Sequence, residues 1–247
     1  MITQIGSLPY DSAEKAVEYS LRHDIPFLPE LPKLGDAMTS YIQNPGKLSC
    51  LEEFKKHSYD IVKIQCIGPA TLSFTDYYDE EQNIKRPYTD KEMVDHITFH
   101  IGATLYGLNA KETIVFFDEP VLGQAGFNYE EIWGKIFNKF NVIKGVHVCG
   151  LTDFDRLFKA DIDIISFDAS HYDLTIYDKY LDFRQKGGRI AWGISNADDI
   201  TDFHKGDLIT MPCGLGGMNI KTGKPYTEEE CENALEMMVK ARGKYSG

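Results

Sequence analysis

The chain has 247 residues, of which 43% are hydrophobic and 12% aromatic, so it carries enough apolar material for a folded core. Its formal net charge of −12 argues against a nucleic-acid partner held by bulk electrostatics. The amino terminus lacks the basic residues and following apolar run of a signal peptide. No run approaches the roughly 18 consecutive apolar residues of a membrane-spanning helix. We therefore expect a cytoplasmic protein without a membrane span, whose five cysteines are reduced thiols.

β-Branched runs alternate with amphipathic stretches along the chain. The runs predict eight strands, over residues 2–5, 26–28, 61–67, 114–117, 142–148, 162–167, 189–193 and 208–211. The amphipathic stretches predict helices over residues 13–22, 34–43, 91–108, 129–140, 153–159, 176–186, 200–204 and 228–244. Capping boxes, formed by Thr89 with Glu92 and by Thr227 with Glu230, predict the starts of two of these helices.

This alternation predicts the fold class. Eight strands, each followed by a helix, in about 250 residues are typical of a (β/α)8 TIM barrel. The sequence therefore predicts an α/β protein with a single (β/α)8 catalytic domain over residues 1–247. An open doubly wound sheet is the alternative, but no G-x-G-x-x-G motif follows the first predicted strand.

The predicted strands are followed by residues that could bind a ligand. Because the active sites of such barrels lie at the carboxyl ends of the strands, these residues are candidates for the site. In chain order they are Ser7, Glu30, Gly68 with Pro69, Asp118 with Glu119, His147 with Cys149, Asp168 with Ser170, Ser195 with Asn196, and Cys213 with Gly214.

One histidine and two cysteines suggest a metal site. The stretch GVHVCG places His147 and Cys149 on one face of a strand, with about 7 Å between their Cα atoms. Cys213, in MPCGLGG, follows the eighth predicted strand and could converge with them. A His-Cys-Cys set with one open position is typical of a catalytic Zn²⁺ site, and Asp168 is a candidate fourth ligand or an acceptor for the second histidine N–H. For each residue alone, ordinary packing in the core is the alternative. The remaining cysteines are predicted to be structural: Cys50, Cys66 and Cys231.

Such a zinc site suits the activation of a thiol. An ion bound by two thiolates and an imidazole takes a substrate thiol into its open position and deprotonates it at neutral pH. Nitrogen and oxygen ligands, in contrast, leave zinc a stronger Lewis acid for hydrolysis. The ligand types therefore favour thiol alkylation.

Seven short motifs follow one another along the chain: IGSLP at 5–9, PELP at 29–32, IGPATL at 67–72, FDEP at 117–120, HVC at 147–149, ISFDAS at 165–170 and PCGL at 212–215. In this order, and over essentially the whole chain, they resemble the carboxy-terminal catalytic barrel of cobalamin-independent methionine synthase, in the uroporphyrinogen decarboxylase-like superfamily. The resemblance implies that His147, Cys149 and Cys213 bind Zn²⁺ and that the substrate is homocysteine. The family's fourth ligand is a glutamate where this chain has Asp168.

The resemblance also implies how homocysteine is bound. Glu30 and Asp118 match the carboxylates that bind its ammonium group, and the IGS turn matches the segment that binds its carboxylate. Two acids suit a cation, and a loop of N–H groups suits an anion. The candidate substrate-binding residues are Ile5, Gly6, Ser7, Glu30, Asp118 and Ser170, and the candidate catalytic residues are His147, Cys149, Cys213 and Asp118.

The chain departs from this family at the methyl donor. It shows no counterpart of the amino-terminal barrel of the full-length enzymes. The family's folate-stacking tryptophan falls where this chain has Ser73-Phe74-Thr75, and its catalytic histidine after strand seven falls in the GISN stretch at 193–196. We therefore hypothesise a short form of methionine synthase whose donor is a methylated corrinoid, carried on another protein, rather than methyltetrahydrofolate.

Three alternatives stay open. A corrinoid-dependent methyltransferase could act on another thiol such as coenzyme M, which has no ammonium group for Glu30 and Asp118. A decarboxylase of the same superfamily would need several arginines at the barrel mouth, where only Arg86 follows a strand. A non-catalytic zinc or methionine binder is the third. The loop at 77–86 is predicted to be solvated rather than to line the donor cleft.

Overall fold

The structure is a computed structural model that describes residues 1–43, 47–79, 83–219 and 222–245. In these ranges the strands are β1 (Ser58–Ile67), β2 (Asp76–Asp79), β3 (Ile84–Pro87), β4 (Asn109–Asp118), β5 (Ile143–Val148), β6 (Ile164–Asp168), β7 (Arg189–Gly193), β8 (Leu208–Thr210), β9 (Met218–Asn219) and β10 (Lys224–Pro225). The α-helices are α1 (Ala13–Ser20), α2 (Ser40–Gln43), α3 (Leu51–Phe54), α4 (Pro69–Leu72), α5 (Asp90–Leu105), α6 (Tyr129–Phe137), α7 (Phe154–Leu157), α8 (Tyr180–Gln185) and α9 (Glu228–Tyr245). None of these helices is long and apolar enough to cross a lipid bilayer.

Six parallel strands form one curled sheet, a half-barrel, in the order β1-β4-β5-β6-β7-β8. The prediction of a mixed α/β fold and of six of the eight strands is therefore confirmed. The central strands are buried on both faces, as expected for parallel strands covered by helices. All six strands end at the same edge of the sheet, where the predicted site residues follow them.

The first two predicted strands, over residues 2–5 and 26–28, are not continuous strands. Pro26 and Pro29 interrupt the second segment, because proline has no N–H to donate to a ladder. The segments instead make isolated parallel bridges, which join Ile2 to Ile209, Ser7 to Glu30 and Phe27 to Lys63.

These two segments nevertheless span the gap between the edge strands of the sheet. Thr3 N–H donates to Ile209 O of β8 at 3.0 Å, and Leu28 N–H donates to Lys63 O of β1 at 2.9 Å. The segments also join each other, since Glu30 N–H donates to the carbonyl of Gly6 at 2.7 Å. The IGS turn and Glu30, which are both predicted to bind the substrate, are thus neighbours.

Two of the predicted helices are wrong, and the other six form with shifted ends. The helix expected over 34–43 is broken because Gly35 takes a left-handed φ of 95°, so that a 3-10 turn at Pro32–Leu34 precedes α2. The helix expected over 200–204 is replaced by an earlier 3-10 turn at Ala197–Asp199, which Asn196 caps. Both predicted capping boxes are present, at the starts of α5 and α9.

The described residues of the segment at 77–86 are mostly exposed and lie outside the cavity described below, as the sequence predicts, but they do not form a loop. They belong to an antiparallel hairpin of β2 and β3, and residues 80–82 lie outside the described ranges. Arg86 in β3 donates to both carboxylate oxygens of Glu92, at 2.8 and 2.6 Å. The hairpin is therefore attached to the first turn of α5.

The apolar core has two parts. The larger part packs the outer face of the sheet against the helices, with Trp133, Phe137 and Trp192 among its fully buried side chains. The smaller part includes Ile114 and Phe116 of β4, Ile164 of β6 and Leu208 of β8.

Candidate functional site

The three predicted metal ligands meet at the carboxyl end of the sheet. Ligand atoms of His147, Cys149 and Cys213 all lie within 4.8 Å of one another. His147 lies in β5, Cys149 follows that strand, and Cys213 follows β8. Parallel strands bring their ends to one edge, which is why residues so distant in sequence converge.

The ring of His147 is oriented by one neighbour. Its Nδ1 lies 3.1 Å from Ser166 Oγ on the adjacent strand β6, where the register pairs the two residues. Its Nε2 is buried and has no hydrogen-bond partner. A buried nitrogen left unpaired costs about 1–3 kcal/mol, so Nε2 is suited to accept a ligand bond.

The two cysteines of the group differ from the other three. The adjacent Cys149 thiol and His147 imidazole lower the pKa of Cys213 below its ordinary value. The adjacent Cys213 and burial raise the pKa of Cys149. Cys213 is exposed and Cys149 is half-buried, whereas the three cysteines predicted to be structural are all buried. The prediction for those three agrees with their burial: Cys50, Cys66 and Cys231.

The His147, Cys149 and Cys213 group can hold a metal ion. Thiolates and imidazole suit zinc and other borderline or soft metals, while magnesium and calcium prefer oxygen ligands. Among the described His, Cys, Asp and Glu residues, no fourth side chain joins the group. The three donors therefore leave one position for an incoming ligand.

A cavity of about 330 Å³ opens beside this group. It contains all three metal-ligand candidates and four of the six predicted substrate-binding residues. Its lining consists of Ile5, Ser7, Glu30, Pro32, Asp36, Ala37, Met38, Gln65, Asp118, Pro120, His147, Cys149, Cys213 and Gly214.

Two buried carboxylates line the cavity with incomplete hydrogen bonding. Glu30 is 5% exposed and Asp118 is 2% exposed. Glu30 Oε1 and Asp118 Oδ1 have no hydrogen-bond partner. Burial, reinforced by the charge of Asp118, raises the pKa of Glu30 to about 8. Burial also raises the pKa of Asp118 to about 6, although His147 and Lys63 oppose that shift. The two free oxygens can accept hydrogen bonds from a cationic group.

The IGS turn lies next to these carboxylates, but its three residues are not equivalent. Ile5 and Ser7 line the cavity, whereas Gly6 N–H donates to Gln65 Oε1 at 2.7 Å. The structure therefore does not offer the Gly6 N–H to a ligand, in contrast to the prediction. Gly214 packs so closely on this turn that a Cβ there would lie 2.0 Å from Ser7 Oγ.

The structure does not bring Asp168 or Ser170 into the metal group or the cavity lining. Asp168 Oδ1 accepts hydrogen bonds from the backbone and hydroxyl of Ser170, at 2.9 and 2.6 Å. Its Oδ2 lies 2.8 Å from Nδ1 of the exposed His171. The aspartate side chain is one methylene shorter than glutamate and bonds its own loop, which accounts for the difference from the predicted ligand.

Glu119 is a structural carboxylate, although it neighbours Asp118. Its Oε1 accepts from Ala70 N–H at 3.0 Å and from Trp133 Nε1–H at 3.1 Å. Its Oε2 accepts from the backbone and hydroxyl of Thr71, at 2.6 and 2.7 Å. These bonds secure the start of α4 and leave no oxygen for a ligand.

Sequence reasoning missed two polar residues of β1 that lie beneath the cavity. Lys63 is fully buried and Gln65 lines the cavity. Their signal is a lysine and a glutamine at alternate positions of the apolar run IVKIQCI. Alternate residues of a strand share one face, so both lie on the same face of the curled sheet.

Comparison of the chain with protein-family models and with curated proteins finds no match. The site geometry and the motif resemblance are therefore the grounds for assigning a function.

Proposed function

We propose that this chain is a zinc-dependent methyltransferase that converts homocysteine to methionine, with a protein-bound methylated corrinoid as the methyl donor. We also infer a complete (β/α)8 barrel, in which the segments at 2–7 and 25–30 take the places of the first two strands. The parallel bridges of Ile2, Ser7 and Phe27 support this topology.

One observation carries the proposal: the metal-ligand group and two carboxylates with free oxygens share a single cavity. A sulfur-binding centre beside an ammonium-binding pair matches the two ends of an amino acid thiol. Homocysteine fits because its thiol and its amino group are joined by a short flexible chain.

The residues present fit zinc. His147 Nε2, Cys149 and Cys213 would hold the ion, and Ser166 keeps the imidazole oriented through Nδ1. Bound zinc lowers the pKa of a thiol that joins it, so that the sulfur is nucleophilic at neutral pH.

The rest of the site holds the amino acid. Glu30 and Asp118 accept hydrogen bonds from the ammonium group, and Ile5 and Ser7 border the space for the carboxylate. This arrangement orients the sulfur towards the open mouth, where the donor approaches. The homocysteine thiol releases its proton to solvent, and an S–CH3 bond forms as the methyl–cobalt bond breaks and its electron pair stays on cobalt.

The cavity lining supports a corrinoid over a folate donor. None of the described lining residues is Trp, Tyr or Phe, so the cavity offers no aromatic ring for a pterin to stack on. Phe74, which lies where the family has its folate-stacking tryptophan, is 54% exposed and outside the lining.

The same lining disfavours two of the alternatives. Coenzyme M carries a sulfonate and no ammonium, so the free oxygens of Glu30 and Asp118 would face an anion. A decarboxylase needs cations for its substrate carboxylates, and no arginine is among the described lining residues.

Metal analysis followed by methyl transfer tests this function. We expect one zinc per chain and methylation of homocysteine by free methylcobalamin, but not by methyltetrahydrofolate alone. Cys213→Ser should lose both metal and activity, while Cys231→Ala, which changes a buried cysteine outside the cavity, should keep both. Activity that survives complete removal of metal would refute the proposal, and transfer from methyltetrahydrofolate at comparable rates would refute the donor.

A further inference from the structure

A chain of hydrogen bonds runs below the cavity from Lys63 to Asp118. The Lys63 ammonium is fully buried and donates to Gln65 Oε1 at 2.7 Å and to the carbonyl of Gln4 at 3.1 Å. Gln65 Nε2–H then donates to Asp118 Oδ2 at 2.8 Å. Asp118 Oδ1 is left without a partner, and Asp118 lines the cavity.

The lysine determines which way the Gln65 amide points. Gln65 Oε1 accepts two donors, the Lys63 ammonium and the Gly6 N–H at 2.7 Å. Because an NH2 group cannot accept these bonds, the amide must turn its nitrogen to Asp118. Without Lys63, one of the two bonds that hold this orientation is lost, and a flipped amide would present its oxygen to the Asp118 carboxylate.

The same amide joins the two halves of the amino acid site. Through Gly6 it holds the IGS turn, and through Asp118 it holds one of the two ammonium-binding carboxylates. The distance between these halves determines which ligand fits. A Cβ at Gly6 would lie 2.9 Å from Gln65 Cδ, so the turn and the amide are in tight contact.

The charges of the site agree with a cationic ligand. Glu30, Asp36, Asp118 and Lys63 sum to −2 when all four are ionised. The carboxylate of Asp36 accepts hydrogen bonds from Leu31 N–H at 2.7 Å and from Ser49. An ammonium group at the free oxygens of Glu30 and Asp118 would therefore reduce the negative charge of the buried cluster and favour the ionised form of Glu30.

We propose that Lys63 and Gln65 are positioning residues that select the amino group of the substrate, with Lys63 acting through Gln65 to aim Asp118 Oδ1 into the cavity. The inference rests on the proposed function, since it assigns the recognition of the homocysteine ammonium within the same cavity. Neither residue is required to touch the ligand sulfur or the metal.

Calorimetry on the zinc-loaded protein tests the proposal with two ligands. Homocysteine and 4-mercaptobutyrate share the thiol, the chain and the carboxylate, but only homocysteine carries the amino group. The dissociation constant of 4-mercaptobutyrate divided by that of homocysteine measures how well the amino group is recognised. We expect Lys63→Met and Gln65→Met each to lower this ratio about tenfold or more, with the zinc content unchanged.

The double variant separates a relay from two independent effects. If Lys63 acts through Gln65, the Lys63→Met/Gln65→Met protein should lose no more selectivity than Gln65→Met alone. Glu119→Gln is the matched control, because it alters a buried carboxylate next to Asp118 that has no oxygen free for a ligand. It should keep the selectivity of the parent.

The outcomes that overturn the proposal differ from those that overturn the function. Unchanged selectivity, an equal loss for both thiols, or additive losses in the double variant would each refute the relay. A parent protein that binds both thiols equally would refute amino-group recognition while leaving a thiol site in place. A zinc-loaded parent that binds neither thiol would refute the proposed function, and the relay with it.

Discussion

Two buried polar clusters of this protein differ in how completely their hydrogen bonds are made. Asp207, just before β8, accepts from both terminal nitrogens of Arg184 at 2.7 Å. It also accepts from the backbone of Ile190, from Trp192 Nε1–H and from the backbone of His204. The Glu30, Asp118 and His147 cluster, in contrast, leaves one atom of each residue buried and unpaired.

The difference distinguishes a structural cluster from a binding cluster. Buried polar groups are nearly always paired, so the Asp207 carboxylate, with both oxygens paired, holds the chain together and needs no ligand, although Arg184 Nε beside it is buried and unpaired. Three unpaired atoms around one cavity point to groups that a ligand has to supply. The contrast predicts that substitutions in the two clusters affect stability and function in opposite ways.

The largest effect is expected at a metal ligand. Cys149→Ser should lower the zinc affinity by at least about a hundredfold, since a hydroxyl replaces a thiolate ligand. Cys66→Ala, at a buried cysteine of β1, should keep the affinity of the parent. Competition with a chromophoric chelator measures both values, and equal affinities for the two variants would contradict the metal site.

A large loss of stability is expected at the fully paired Asp207 carboxylate. Asp207→Asn leaves the buried Arg184 guanidinium without its counter-charge, so we expect the free energy of unfolding to fall by about 3–5 kcal/mol. Urea denaturation measures the change. The metal content should stay the same at temperatures where the variant is folded. A loss below about 1 kcal/mol would show that the ion pair is not needed, contrary to the comparison.

At the cluster of Glu30, Asp118 and His147, the contribution to the free energy of unfolding should instead depend on pH. Burial raises the pKa of Glu30 to about 8 from an ordinary value of 4.5, so between these values the folded chain holds a proton that the unfolded chain has released. This contribution to stability therefore falls as the pH rises from about 4.5 to 8. Glu30→Gln removes the dependence and should be more stable than the parent at pH 8, by an amount on the order of a few kcal/mol, and closer to it at pH 5.

Denaturation at these two pH values provides the measurement for Glu30→Gln. Asp36→Asn is the matched control in the same part of the chain, because its carboxylate is occupied by Leu31 and Ser49. That variant should be destabilised at both pH values. If Glu30→Gln were destabilised to the same extent as Asp36→Asn at pH 8, Glu30 would belong with the structural carboxylates.

The smallest effect is expected next to the metal group. Ser166→Ala removes the partner of His147 Nδ1, which fixes the ring so that Nε2 is directed to the metal group. We expect about a tenfold loss of zinc affinity, which chelator competition can detect. A matching change at Ser73, whose hydroxyl donates to the carbonyl of Ala70, should leave the affinity unchanged.

The sequence was sufficient to predict the sheet and the metal group. β-Branched runs identified the six paired strands, and parallel strands must end at one edge, so His147 and Cys213 could be expected to meet. The second predicted strand was harder, because prolines at 26 and 29 break the ladder without changing the apolar pattern.

Side-chain partners were less predictable than strand ends. Asp168 has the right position in the chain, but its oxygens are taken by Ser170 and His171, a local choice that no periodicity reveals. The N–H of Gly6 is occupied in the same way by Gln65. Lys63 was overlooked even though a charged residue inside an apolar strand run is informative, because a buried lysine requires partners.

The bridge between Ile2 and Ile209 has a consequence for the protein during its synthesis. Leu215 N–H donates to Ser7 O at 2.7 Å, so the first segment of the chain gains its contacts with residues 209 and 215 only after most of the chain has left the ribosome. Contacts that join such distant residues close late and slow folding. Until then the apolar side chains of Ile2 and Leu8, both fully buried in the finished protein, stay open to chaperones and to aggregation.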